Sequence, residues 1–400
     1  MLVGIVGKAN VGKSTFFKAA TLADVLIANY PFATIKPNHG MAYVKVKCID
    51  SEFKTQCMPR TGYCVNHIRF VPVELMDVAG LVPGASEGKG LGNQFLDDLR
   101  QADCFIQIVD ASGGTTIEGK PCEPGSHDPC EDIIFLEKEL DLWYLGILKK
   151  VWRTFSRTLS LGKDSEGNFS KQVAKQFSGL KIDENDVKQT ILKTKLDTGK
   201  AEKWTDEELL LFVKTLRKLT KPMIIAANKC DFAISASNIE KMKEKFDYMI
   251  VPCSADSELA LREASKHGLI DYIPGEKTFS VKEGKTNEKQ KMALENIKKN
   301  VLEKYEFGTG VQEILDESVF KLLKYIALFP AGVHKLADSK GNILPDCFLL
   351  PEGSTALDFA FSLHTDIGNN FVKAIDARTG KALGKDHVLK HRDALEIATK

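Results

Sequence analysis

The chain lacks any apolar run approaching the ~20 residues that span a bilayer, and Lys8 interrupts the apolar start Met1 to Gly7, which has no basic leader. That start therefore reads as a buried strand, not a signal peptide, and no membrane association is expected. Charge of one sign is also missing: 55 Lys and Arg nearly cancel 54 Asp and Glu. No global field draws the molecule to DNA or to acidic membranes, so any nucleic-acid contact must come from a local patch. The nine cysteines are scattered and odd in number, which argues against a disulfide framework and for a reducing, cytoplasmic compartment. Internal repeats and low-complexity tracts are absent, and nothing speaks to oligomeric state.

What remains is an ordinary globular composition, 43% hydrophobic and 27% charged over 400 residues, long enough for two or three domains. Five short apolar runs read as buried parallel strands: Leu2 to Val6, Val73 to Met76, Phe105 to Val109, Met223 to Ala227 and Tyr248 to Val251. Helical patterns lie between them, so the fold class is α/β, a doubly wound sheet, over residues 1–130 and 221–275. Residues 131–220 read as a helical insertion, with Ile133, Leu136, Leu140, Trp143, Ile147 and Val151 on one face, a stripe expected to be core. Thr205 and Glu208 form a capping box before Leu209. Residues 276–328 read as linking helices: a lysine-dense, solvated one over Asn287 to Lys304, and an apolar one over Val311 to Leu328. Residues 329–400 read strand–helix–strand–strand, a small α+β module.

Chemistry concentrates at the carboxyl ends of the apolar runs. Gly7-Lys8-Ala9-Asn10-Val11-Gly12-Lys13-Ser14, with Thr15 behind it, matches the phosphate-binding P-loop, between a strand and a helix as that loop requires. Its main-chain amides and helix N-terminus cradle phosphate. Lys13 is the candidate catalytic cation on the β- and γ-phosphates, and Ser14 is a candidate Mg²⁺ ligand. Asp77-Val78-Ala79-Gly80 ends the second run. Asp77 can hold Mg²⁺ through water, and the Gly80 amide can approach the γ-phosphate. Asn228-Lys229-Cys230-Asp231 ends the fourth run. Asp231 can accept from both N1–H and the 2-amino group of guanine, which adenine does not offer. Asn228 can tie this loop to the P-loop or contact the base edge, and Lys229 can lie along the ring. Cys253-Ser254-Ala255 offers a backbone amide to the guanine oxygen.

With these elements in order, the chain resembles the Obg-type translation-factor GTPases and, within them, the YchF-like branch. Asn29 to Thr34 and Asp77 to Asn93 add to the likeness, and Gly353 to Thr355, Asp358 to Ala360, His364 to Asp366 and Ala374 to Asp376 resemble a TGS domain of β-grasp fold. The resemblance implies GTP/GDP as ligand, Mg²⁺ as cofactor, and ribosome or RNA as partner. It implies that Thr34 closes on Mg²⁺ and the γ-phosphate as switch I, and that Gly80 to Asn93 is switch II. Leu81 stands where many GTPases carry a water-orienting Gln, so slow turnover is expected. Asn10 matches an asparagine that in some related GTPases helps hold K⁺. Rival readings are an ATP-preferring switch of the same fold, a P-loop metabolic kinase and a non-catalytic scaffold.

Two weaker clusters remain. Lys373, Arg378, Lys381, Lys385, Lys390 and Arg392 could face RNA, but Asp376, Asp386 and Asp393 interleave as on a solvated face. Cys48, Cys57, Cys64 and His67 do not have zinc-knuckle spacing and read as free thiols or core packing.

Overall fold

The computed structural model describes residues 1–21, 39–78, 100–159, 165–333 and 336–400. Thr34, Gly80, Leu81 and the remainder of both expected switch segments lie outside the described residues. In chain order the strands are β1 (Leu2–Val6), β2 (His39–Lys47), β3 (Tyr63–Val65), β4 (Ile68–Asp77), β5 (Cys104–Asp110), β6 (Met223–Asn228), β7 (Ile250–Pro252), β8 (Ile270–Tyr272), β9 (Phe279–Val281), β10 (Tyr325–Pro330), β11 (Phe348–Pro351), β12 (Phe371–Asp376), β13 (Ala382–Leu383) and β14 (Ala394–Thr399). They belong to two compact units, one of residues 1–17, 75–257 and 296–310, the other of 18–74, 258–295 and 311–400.

In the first unit β1, β5, β6 and β7 pair in parallel in that order. Every residue of β1, β5 and β6 is buried. Continuous apolar runs arise because a parallel sheet is covered on both faces. The helical block consists of Pro129–Leu159, Ser165–Gln176, Glu184–Thr194 and Asp206–Thr220. Ile133, Leu136, Leu140 and Trp143 enter one continuous core with Leu2, Val6, Phe105 and Met223. Tyr144, Leu148 and Trp152 carry the helix face deeper than the expected Ile147 and Val151, which are half-buried. Trp152 stacks on Trp204 at 5.4 Å, with Phe169 and Phe212 against the same indole of Trp204. Thr205 and Glu208 do form the capping box.

In the second unit β3 pairs antiparallel with β4, and β2 lies on β4's other side. A separate five-stranded sheet has the order β11-β10-β14-β12-β13, with β10 parallel to β14, over helix Ala356–Leu363 and a core of Ile326, Leu328, Phe359 and Leu395. The helix expected over Val311 to Leu328 needs correction. It runs from Val311 to Glu317, widens into a π-turn through Leu322, and stops at Lys324, whose φ is 53°. Tyr325–Pro330 is instead a strand, so the terminal sheet opens ahead of Phe329. A short buried apolar run looks the same in helix and strand, and only its pairing with β11 and β14 decides. Among the described residues, no helix is long and apolar enough to cross a membrane.

Candidate nucleotide-binding site

The site lies wholly within the first unit, at the carboxyl ends of the parallel strands, where an open α/β sheet leaves its crevice. The chain leaves β1 at Gly7 with φ 146°, and a Cβ there would sit 2.6 Å from the Ile108 carbonyl. Gly12 has φ 98°, and a Cβ there would run into the Asn228 amide. Both positions therefore exclude a side chain, which is the physical content of the P-loop spacing. The helix beginning at Lys13 points its free amides back over this loop.

Lys13 curls over the loop, its amine donating to the Lys8 carbonyl at 2.7 Å. Burial pushes its pKa down, and Asp77 partly opposes this. The Ser14 hydroxyl donates to Asp77 Oδ2 at 2.9 Å, while Asp77 Oδ1 is buried with no hydrogen-bond partner among the described residues. Burial raises the Asp77 pKa against the pull of Ser14 and Lys13. An orphaned carboxylate oxygen beside a serine hydroxyl is a hard-oxygen donor set, and it fits Mg²⁺.

At the base end, Asn228 makes two buried bonds: its Nδ2 donates to the Val11 carbonyl at 2.8 Å, and its Oδ1 accepts from the Ala255 amide at 3.0 Å. Of the two roles open to Asn228, these bonds use the first, clamping the P-loop to the Ser254–Ala255 loop. Asp231 accepts from the Ser254 hydroxyl at 2.9 Å, which orients its carboxylate at the mouth. The Ser254 amide is tied to the Thr309 carbonyl at 2.9 Å, and Tyr305 donates to the Cys230 carbonyl at 2.8 Å. The return segment 296–310 thus buttresses both base-side loops. A cleft of about 460 Å³ runs from Gly12, Lys13, Ser14 and Thr15 to Asn228, Lys229, Asp231 and Ser254.

Some contributors carry no motif. Asp110, buried at the end of β5, accepts from Lys229 Nζ at 2.7 Å and so fixes the stem that would flank a base. Gly119 lies against Ala9, and its carbonyl accepts from the Asn10 side chain at 2.8 Å. The Lys8 side chain does not face the cleft. It is buried and paired with Asp132 at 2.8 Å, where His127 also bonds, so only its main chain is available to phosphate. Burial raises the Asp132 pKa, opposed by Lys8 and His127. An acidic residue ending a buried strand was the one available signal for Asp110. Nothing local marks the approach of Gly119 to the P-loop.

Comparison with known proteins agrees with this geometry. A family model for 50S ribosome-binding GTPases matches residues 2–132, one for the G4 motif-containing domain of Obg-like, YGR210-like GTPases matches 226–332, and one for the TGS domain matches 335–399. An uncharacterized GTP-binding protein of Methanocaldococcus jannaschii is 47% identical, over 100% of this chain and 99% of its own length. A protein of Bacillus subtilis described as ribosome-binding ATPase YchF is 28% identical over 94% of this chain and 87% of its own. The crystal structure of a GTP-binding protein from Pyrococcus horikoshii superposes with a TM-score of 0.78 at 38% identity, each chain covered in full. The Schizosaccharomyces pombe YchF GTPase shares the fold, with a TM-score of 0.62 at 23% identity over 100% and 97% of the two chains.

Proposed function

The chain belongs to the YchF-like branch of the Obg-family P-loop GTPases with a C-terminal TGS domain, and on that premise we propose that it is a cytoplasmic, Mg²⁺-dependent GTP switch acting on the ribosome or its RNA. Membership in a P-loop nucleoside-triphosphatase family carries hydrolase activity in general. The preference for GTP rests on one observation: the phosphate cradle and a Ser254-oriented carboxylate, Asp231, share a single cleft. Guanine offers that carboxylate two donors that adenine lacks, a difference of about 1–3 kcal/mol or more. Calorimetry should give GTP at least about 100-fold tighter than ATP. Equal or tighter ATP binding would overturn the reading.

In this reading the P-loop amides and Lys13 bind the β- and γ-phosphates. Ser14 and Asp77 would hold Mg²⁺, with Thr34 closing from switch I. Mg²⁺, when bound, supplies positive charge to the phosphate oxygens. Leu81 in place of a glutamine supports slow turnover. Asn10, held beside the cradle by Gly119, supports K⁺ as a second ion, and equal single-turnover rates in K⁺ and Na⁺ would remove it.

An ATP-driven switch is the second reading, favoured by the ATPase description of the Bacillus subtilis relative. That relative's printed role, together with the TGS domain, supports ribosome or RNA as partner. Of the six basic residues late in the chain, Arg378 and Arg392 both pair with Glu52, leaving the four lysines as the candidate contact. Ribosome sedimentation in a GTP analogue but not in GDP is expected. Identical sedimentation in both would count against a switch.

A further inference from the structure

Cys48, Cys57 and Cys64, expected from their spacing to be free thiols or core packing, meet within the second unit. Cys48 follows β2, Cys57 lies in the loop after a short 3-10 turn (Ile49–Phe53), and Cys64 is in β3. Their sulfurs and an Asp50 carboxylate oxygen all lie within 4.8 Å of one another. Cys48 and Asp50 are fully buried, Cys57 nearly so.

We propose that these four residues form a mononuclear zinc site, with the three thiolates and Asp50 as ligands. A tetrahedral zinc with bonds of about 2.3 Å to sulfur sets its sulfurs about 3.8 Å apart. The observed convergence needs only a small contraction to reach that distance. A polynuclear iron–sulfur core would have to hold its thiolates farther apart, because the inorganic core lies between them. Thiolates select a borderline-soft ion, and the carboxylate turns the choice from copper(I) to zinc.

The surroundings fit an outer shell. His67 Nδ1 lies 3.0 Å from Asp50 Oδ1, and the Cys57 amide donates to Asp50 Oδ2 at 3.0 Å, so the carboxylate is held in place. The Cys48 amide donates to the His67 carbonyl at 2.7 Å, closing the loop on itself. Arg69 is fully buried and bonds the Leu344 carbonyl, while its Nε and Nη1 have no hydrogen-bond partner among the described residues. It forms no ion pair among the described residues, although a buried cation requires compensation. Zinc with three thiolates and Asp50 carries two net negative charges, and Arg69 offsets one. Binding exchanges the three S–H protons for the metal and releases them to solvent.

Such a site would brace a segment with little regular structure. Met58 and Arg60 donate main-chain bonds to the carbonyls of Ile343 and Pro345, each at 2.8 Å, so the metal would also fix the approach to the terminal sheet.

The test is the metal content of the full-length chain, untagged and purified under reductant without chelator. About one zinc per chain is expected, lost at least tenfold in Cys48→Ser, Cys57→Ser and Cys64→Ser but retained in Cys347→Ser. Cobalt(II) titration of the zinc-stripped wild-type chain should saturate at one equivalent, with thiolate-to-metal charge-transfer absorption. This reading stands even if the serine variants fail to fold. Less than a tenth of an equivalent of zinc after reconstitution, absence of the charge-transfer band, a disulfide among the three cysteines, or full retention of zinc in the serine variants would each overturn the proposal.

Discussion

Replacing Asn228 by Ala removes the one side chain among the described residues that bonds both the P-loop and the loop opening at Ala255. Val11 and Ala255 are buried, so water cannot readily replace either bond. Each hydrogen bond contributes about 1 kcal/mol net, and each buried group left unpaired costs about 1–3 kcal/mol. Ala255 also starts a helix (Ala255–Lys266), where its amide has no intrahelical acceptor. The combined loss should be about 2–4 kcal/mol, divided between the fold and nucleotide affinity because the clamp holds both loops in their binding geometry. Urea unfolding with and without GDP separates the two shares: the midpoint should fall in both, and the GDP-induced increment should shrink. Asn228→Asp is the control, keeping an acceptor for Ala255 while setting an oxygen against the Val11 carbonyl, so it should be no better than Ala. An Asn228→Ala chain with unchanged midpoint and GTP affinity within threefold of the parent would refute the clamp.

Asp231→Asn should weaken GTP by at least about 30-fold and improve xanthine-nucleotide binding, because xanthine presents a carbonyl where guanine has an amine; competition binding with the two nucleotides checks it. Trp204→Ala opens the aromatic cluster with Trp152, Phe169 and Phe212 and should cost about 3–5 kcal/mol in denaturant unfolding. Asp316 has its pKa pushed up to about 7 by burial, against bonds from the Lys45 amide and Gln312. The folded chain therefore holds this proton more tightly than the unfolded chain, so stability is greater below about pH 4 and is lost as pH rises toward 7. Asp316→Asn should abolish that part of the pH slope and raise the urea midpoint at pH 8; an unaltered slope would contradict it. Lys13→Ala should abolish triphosphate binding while leaving thermal unfolding near that of the parent, which a filter-binding assay and a melt decide together.

Local chemistry was legible wherever one residue type alone meets a backbone or ligand demand. Gly7 and Gly12 are required by conformation and close approach, Thr205 by its unpaired helix amides, and β1, β5 and β6 by burial on both faces. These motifs in order yielded the fold class and the purine hypothesis. The strand at Tyr325–Pro330 was not legible, since its apolar run suits a helix equally well until β11 and β14 supply partners. Nor was the inward turn of Lys8, because a P-loop lysine faces phosphate or core according to whether an Asp132 waits behind it. Cys48, Cys57, Cys64 and Asp50 became a site only when β2, a loop and β3 folded together. Short-range rules act over one turn of chain, whereas a convergent site depends on closure over many residues, which is a property of the packed structure.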